Sequence, residues 1–298
     1  PPLSSDNATV NTPDLTHASA QTLAATHYEN FPVASWLCPP HLRAPIAAIY
    51  AFARTADDLA DEGTHSAAQR LDDLNCYRQD LHACAAAGTT SGRWPNVFGA
   101  LQPIIAQHRL PLDLLDALLS AFIQDVEKTR DAAGYATREE LLDYCSRSAN
   151  PIGRLLLHLY GIHSAQALEQ SDAICTALQL INFWQDLSED LPRGRYYLTE
   201  ADCQRFGITR ADLLKGEPTP AIKELIADSA FWARLCMQKG LKLVHTLPGR
   251  MGWELRLVVQ GGLRMLERVE AQQGANLHTR LTLGKRDVPI VLWRALRM

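Results

Sequence analysis

The sequence predicts an all-α chain folded as a single domain, and three observations predict it. Apolar residues recur at helical spacing along most of the chain, alternating β-branched runs with hairpin turns are nearly absent, and Ala and Leu are abundant throughout. With 298 residues, 47% hydrophobic and 21% charged, the chain can bury one large core. No internal repeat or long linker interrupts it, so residues 21–298 are expected to form one helical domain behind a loose polar tail at 1–20, rich in Ser, Thr, Asn and Pro.

The elements follow in order from punctuation. Pro39, Pro40 and Pro45 mark the entry to a helix that carries Ile46, Ile49, Tyr50, Ala53 and Arg54 and runs on into Asp57 and Asp61. Polar breaks at Gly63–Ser66 and Gly88–Pro95 enclose a helix over Leu71–Cys84, and the next is expected over Val97–His108. Further helices are read at Leu112–Thr129, Arg138–Tyr160 and Ala165–Leu191, the last stopped by Pro192 and Gly194. A loop at Gly216–Pro220 and a turn at Leu247–Gly252 divide the remainder into three more.

Composition excludes several classes. A formal charge of -4 and a pI near 6.2 give no footprint for nucleic acid, which calls for a basic domain. No stretch approaches the roughly 18 to 20 apolar residues that span a bilayer. The N-terminus lacks the basic and apolar regions of a secretory signal. Seven cysteines with no C-x-x-C pair suggest neither a zinc site nor a disulfide framework, so the expectation is a cytoplasmic chain, compatible with transient membrane contact.

Chemistry concentrates in two acidic segments. From Arg54 to Glu62 the chain places Asp57, Asp58, Asp61 and Glu62 together, with Asp57 and Asp61 at i and i+4 on one helical face. Like charges at that spacing destabilise a helix by about 0.2–0.5 kcal/mol per pair, a penalty that a cation removes. Alone, such a cluster is more often a solvated acidic face. A second cluster changes that balance: Asn182, Asp186 and Asp190 recur at i, i+4 and i+8, a polar stripe about 12 Å long, extended one turn by Gln179. It is interleaved with Ile181, Phe183, Trp184 and Leu187, and with no His or Cys at metal spacing its oxygen donors select Mg²⁺ over zinc. Asp57, Asp61, Asn182, Asp186 and Asp190 are therefore the candidate metal ligands.

These residues resemble a known family. The run Tyr50-Ala-Phe-Ala-Arg54-Thr-Ala-Asp57-Asp58-x-x-Asp61 is similar to the first aspartate-rich motif of the squalene and phytoene synthases, and Asn182-x-x-x-Asp186-x-x-x-Asp190 to the second. Segments His27–Pro32, Tyr144–Gly153 and Gly194–Leu198 agree in order, so the resemblance covers roughly residues 20 to 275. It implies an isoprenoid-synthase helical bundle, with Mg²⁺ and diphosphate at the mouth of a central cavity and an apolar tunnel for prenyl chains.

Departures from the family pattern narrow the expectation. Two serines of many condensing members are replaced by Tyr28 and Asn30, an Arg before the middle aspartate of the second motif by Gln185, and a small apolar segment by Arg147-Ser148-Ala149-Asn150-Pro151. These sequences resemble the hydroxysqualene synthase branch of bacterial hopanoid formation. That branch implies presqualene diphosphate as substrate, Mg²⁺ as cofactor, no NADPH, and a downstream squalene-forming oxidoreductase as a partner. Arg54 and Arg195 are candidate phosphate donors; Tyr50, Asp58, Gln179, Tyr197, Arg147 and Asn150 are candidate substrate contacts, and Tyr28 a candidate catalytic group. Phe31, Phe52, Phe122, Phe183 and Tyr197 are candidates to line the cavity around a carbocation, against the commoner role of such residues as core. Asp125 falls where relatives place an acidic residue near the cavity, with capping or ion pairing as the other reading. The alternatives are head-to-head condensation, as in presqualene diphosphate, squalene or phytoene synthases, and a non-catalytic assembly factor of the same fold.

Overall fold

The structure is a computed structural model that describes residues 38–272 and 274–298. Helices account for all its extended elements, and among the described residues the only strand-like pairing is an isolated bridge between Gly134 and Tyr196. The first half comprises α1 (Pro40–Asp61), α2 (Ala67–Ala85), α3 (Pro95–His108) and α4 (Leu112–Arg130). Pro40 opens α1 in the first turn, where a missing N–H costs nothing, and Ser66 opens α2 through a reciprocal capping box with Gln69. Phe52 of α1, Tyr77 of α2 and Phe98 of α3 meet as a buried aromatic cluster with Leu115 and Leu119 of α4 around them. Phe52 is fully buried there, so it belongs to the core rather than to a cavity wall.

A second apolar core is built by the rest of the chain around α7 (Ala165–Gln185). Helices α5 (Arg138–Ser148) and α6 (Asn150–Leu159) precede it. Short α8 (Leu187–Asp190), α9 (Glu200–Arg205) and α10 (Arg210–Lys215) follow, then α11 (Pro220–Gly240), α12 (Leu243–Thr246), α13 (Gly249–Ala271), a 3₁₀ turn at Ala275–Leu277 and α14 (Val288–Arg297). Three glycines let neighbours close on α7. A Cβ on Gly153 of α6 would lie 2.3 Å from Ser171 Oγ, one on Gly240 of α11 2.5 Å from the Gln170 carbonyl, and one on Gly262 of α13 2.9 Å from Leu178.

The structure corrects three boundaries. The helix expected over Arg138–Tyr160 is two helices, divided at Ala149 just before Pro151, whose ring disfavours continuous helix at the preceding residues. The helix expected over Ala165–Leu191 ends at Gln185, with Asp186 between it and α8. There Asn276 donates to the Trp184 carbonyl at 2.8 Å and Gln185 to the Leu281 carbonyl at 2.7 Å, so the returning chain replaces helix continuation as the partner of the last turn. After Pro192 the chain forms more and shorter helices than three, because capping threonines at 199, 209 and 219 each start a new one.

Candidate active site

The first acidic motif occupies the last turns of α1. Its core-facing side, Ile49, Phe52 and Ala56, is buried, which turns Tyr50, Arg54, Asp57, Asp58 and Asp61 toward a cleft, each partly exposed. Arg54 pairs with Asp57 at 3.0 Å and with Asp58 at 2.8 Å. The second motif follows the same logic on α7: Leu180, Ile181, Phe183 and Trp184 are buried while Gln179, Asn182, Asp186 and Asp190 remain partly exposed. The break at Asp186 bends this stripe rather than destroying it, since Asp186 N–H donates to the Asn182 carbonyl and Asp190 N–H to that of Asp186, both at 2.9 Å.

Arg195 joins the two motifs. Its guanidinium pairs with Asp61 of the first and lies 3.8 Å from Asp190 of the second, while Arg193 lies 3.7 Å from Asp61. The segment carrying Arg195 is fixed by the Gly134–Tyr196 bridge and by Glu200 and Ala201 N–H groups bonded to the Tyr135 and Ala136 carbonyls. Two rows of carboxylates separated by one guanidinium therefore face each other across the cleft. Among the described residues no three His, Cys, Asp or Glu side chains converge into a ready-made metal cluster. The acidic groups instead lean on arginines.

Local electrostatics record the crowding. Burial, reinforced by Asp186 and Glu189, pushes the Asp190 carboxyl up to about 7, with Arg193 and Arg280 pulling it back. Burial also raises Asp57, against the pull of Arg54 and Arg195. Asp125 of α4 is pushed up to about 8 by burial first and by the charges of Asp57 and Asp190, and Tyr144 donates to it at 2.5 Å. Arg147 acts on the same carboxyl and is itself bound to Gln124 at 2.6 Å and Asp143 at 2.7 Å.

Next to Asp125 lies an aromatic group. Tyr197 stacks on Phe183 with centroids 3.7 Å apart, and Tyr135 and Tyr144 complete the nest. A pocket lined by Asp125, Lys128, Tyr135, Arg195 and Tyr197 opens beside it. Asn150 is placed elsewhere: it is buried and accepts from Thr176 at 2.9 Å, holding α6 on α7. Tyr28 and Phe31 lie outside the described residues.

Two groups at this site escaped the sequence reading. Arg280, from the loop after the 3₁₀ turn, donates to Asp186 at 2.7 Å and lies 4.0 Å from Glu189. Lys128 crosses the Tyr135 ring at 4.4 Å and donates to the Gly134 carbonyl and Glu140. Lys128 stood one turn from Asp125 on the same helix face, a spacing that marks a neighbour; nothing local to Arg280 marks its return to Asp186.

The donor set fits a hard divalent cation. All donors of the two motifs are oxygens, they belong to opposed elements, and burial first of all has raised two of their carboxyls, with Asp186 adding to it at Asp190. The Nε groups of Arg54 and Arg195 are buried without an acceptor, which suits an anionic ligand between them.

Comparison with known proteins agrees with this geometry. Residues 24–287 match the family model described as squalene/phytoene synthase. A hydroxysqualene synthase of Sinorhizobium fredii is 35% identical over 67% of this chain and 67% of its own length. One of Rhodopseudomonas palustris is 32% identical over 82% of this chain and 80% of its own. Among solved structures, the squalene synthase HpnC of Alicyclobacillus acidocaldarius superposes with a TM-score of 0.76 at 36% identity, covering 85% of this chain and 92% of that one. Helical architecture, paired acidic motifs and family match converge: the chain belongs to the squalene/phytoene synthase family.

Proposed function

We propose that this isoprenoid synthase ionises presqualene diphosphate and returns hydroxysqualene and diphosphate. The single observation that supports the reading is Arg195, which pairs with Asp61 and lies 3.8 Å from Asp190, so that one guanidinium addresses both acidic motifs. Asp57, Asp61, Asn182, Asp186 and Asp190 are the residues that would hold Mg²⁺. When bound, Mg²⁺ supplies neutralisation of the charge that develops on the leaving diphosphate.

The chain's own groups do the rest. Arg54 and Arg195 donate from guanidinium forks to diphosphate oxygens, with Tyr50, Asp58 and Gln179 at the rim. Breaking the C–O bond sends its electron pair to diphosphate and leaves a cyclopropylcarbinyl cation. Tyr135 and Tyr197, which line the pocket beside Asp125 and are backed by Tyr144 and Phe183, would present electron density to it and exclude bulk water. The cation rearranges, a water oxygen forms the new C–O bond, and one proton is released. No hydride is consumed, so no NADPH is required.

Names and residues support this branch together: two relatives at 32–35% identity are hydroxysqualene synthases, and the Arg147-to-Pro151 segment departs from the condensing pattern. A second reading, head-to-head condensation, is favoured by Arg280, which restores beside Asp186 the positive charge that Gln185 does not provide. Incubating the purified chain with Mg²⁺ and either synthetic presqualene diphosphate or farnesyl diphosphate, followed by mass spectrometry, separates the two. Hydroxysqualene from the first substrate alone is expected; a condensation product from farnesyl diphosphate alone would replace this reading with the second.

A further inference from the structure

We propose that the outer face of α14 is a docking surface for an anionic lipid bilayer. Val288, Leu292, Trp293 and Leu296 are exposed by 53, 47, 55 and 64%. At 100° per residue, with Pro289, they occupy an arc of about 140° on one side of the helix. The rest of the helix is spoken for: Ala295, at the edge of the arc, is buried, and on the opposite side Asp287 at the helix start takes Arg264 and Arg268 while Arg294 takes Glu267 of α13. The ten residues Val288–Arg297 run about 15 Å, a length over which an apolar face can lie along a membrane surface, and no described helix is long and apolar enough to cross one.

Charge selects the occupant. Lys285 and Arg286 are exposed just before the helix, and Arg297 stacks over Trp293 at 3.8 Å near its end. The only acid of the segment from 285 to 298, Asp287, is buried and neutralised by its arginines. An apolar face with cations at both ends and a Trp at its edge is the pattern of an interfacial helix on anionic headgroups. A second copy fits poorly, because pairing two such faces in either direction sets cation against cation. The chain passes from Arg280, on Asp186 at the cleft, to Val288 without an intervening helix.

Sedimentation of the full chain with vesicles of phosphatidylglycerol and phosphatidylethanolamine, against phosphatidylcholine alone, tests the assignment independently of turnover. The chain is expected to pellet with the anionic vesicles, less so as salt rises. Leu292→Glu/Leu296→Glu should weaken that partition at least about tenfold, and Lys285→Ala/Arg286→Ala about tenfold or more, given near fivefold per cation at such a surface. Circular dichroism melting checks both variants; should the leucine variant unfold, the loop variant decides. Equal binding to both vesicle types, no binding, or partition unchanged in the folded variants overturns the proposal. So does light scattering that shows a dimer dispersed by the leucine variant while no vesicle is bound, which would make the face a self-association surface.

Discussion

At Asp57 the carboxylate is bound to Arg54, yet its side chain keeps 42% of its exposure, so the pair contributes little to folding, at most about 1 kcal/mol. Its position beside Asp61 in the cleft makes it matter for charge instead. Asp57→Asn should therefore lower turnover of presqualene diphosphate by about 10² or more while the melting temperature stays within a few degrees; retained turnover would remove the metal assignment. Asp125 gives a prediction of a different kind. Its native carboxyl stands near 8 against an ordinary 3.8, because burial and the charges of Asp57 and Asp190 disfavour its anion. The native state then keeps a proton that the unfolded chain has lost between those values. The contribution of Asp125 to stability is complete below about pH 3.8 and drains away as pH rises toward 8, by at most about 1.4 kcal/mol per unit, less where water in the pocket screens it. Asp125→Asn carries no charge at any pH, so it should melt higher than the parent at pH 8 and alike at pH 4. Melting curves across that range check the sign; a variant less stable at pH 8 would show that the carboxyl is ionised and paired.

Among the elements, α7 holds both the second acidic stripe and the centre of the larger core, and glycines on its neighbours set how closely they pack. Gly153 of α6 is the tightest, since an added methyl meets Ser171 Oγ and Cys175 Sγ. Gly153→Ala should destabilise by about 1–3 kcal/mol through overpacking, read as a lower melting temperature; an unchanged melt would show that α6 slides freely. This residue was visible in the sequence as part of Asn150-Pro-Ile-Gly153-Arg154, but its packing role was not, because Ser171 and Cys175 arrive from another helix. Much else was legible. Proline and glycine punctuation gave α1 to α4 nearly to their ends, and the spacing of Asp57 with Asp61, and of Asn182 with Asp186 and Asp190, identified the two rows that face the cleft. What stayed hidden was made by distant chain. The break at Asp186 depends on Asn276 and Leu281, and the cation at Asp186 is Arg280, all about ninety residues downstream by sequence. Asn150, expected at the substrate, turned inward because Thr176 offers a buried partner.

At the scale of the whole molecule, the described residues form two cores with an acidic motif on each. Asp57 and Asp61 ride on α1, whose apolar face belongs to the first core; Asn182, Asp186 and Asp190 ride on α7 and α8, whose faces belong to the second. Across the gap, Arg195 neutralises part of each row, and Arg54 and Arg280 hold the remainder. This charge arrangement sets up a linkage. A divalent cation arriving alone competes with arginines already paired to its ligands. Diphosphate arriving alone meets the arginines but also the carboxylates beside them. Under the proposed function, when both arrive the carboxylates would turn to metal and the guanidiniums to phosphate, and each ligand would remove the repulsion that opposes the other. Two ligands coupled in this way are reciprocal: each raises the affinity of the other by the same factor. Such a pair, held by residues of both cores, would also resist their separation on unfolding. Stabilisation grows as RT ln(1 + [L]/Kd), about 2.7 kcal/mol at a hundredfold excess over Kd. Melting the chain with Mg²⁺, with inorganic pyrophosphate, and with both should give a shift for the pair that exceeds the two separate shifts combined. Asp61→Asn should shrink the excess, because it removes a ligand from one row and the anchor of Arg195 at once. Merely additive shifts would mean that the two rows act as separate sites, and that the arginine between them is a structural tie without a part in ligand exchange.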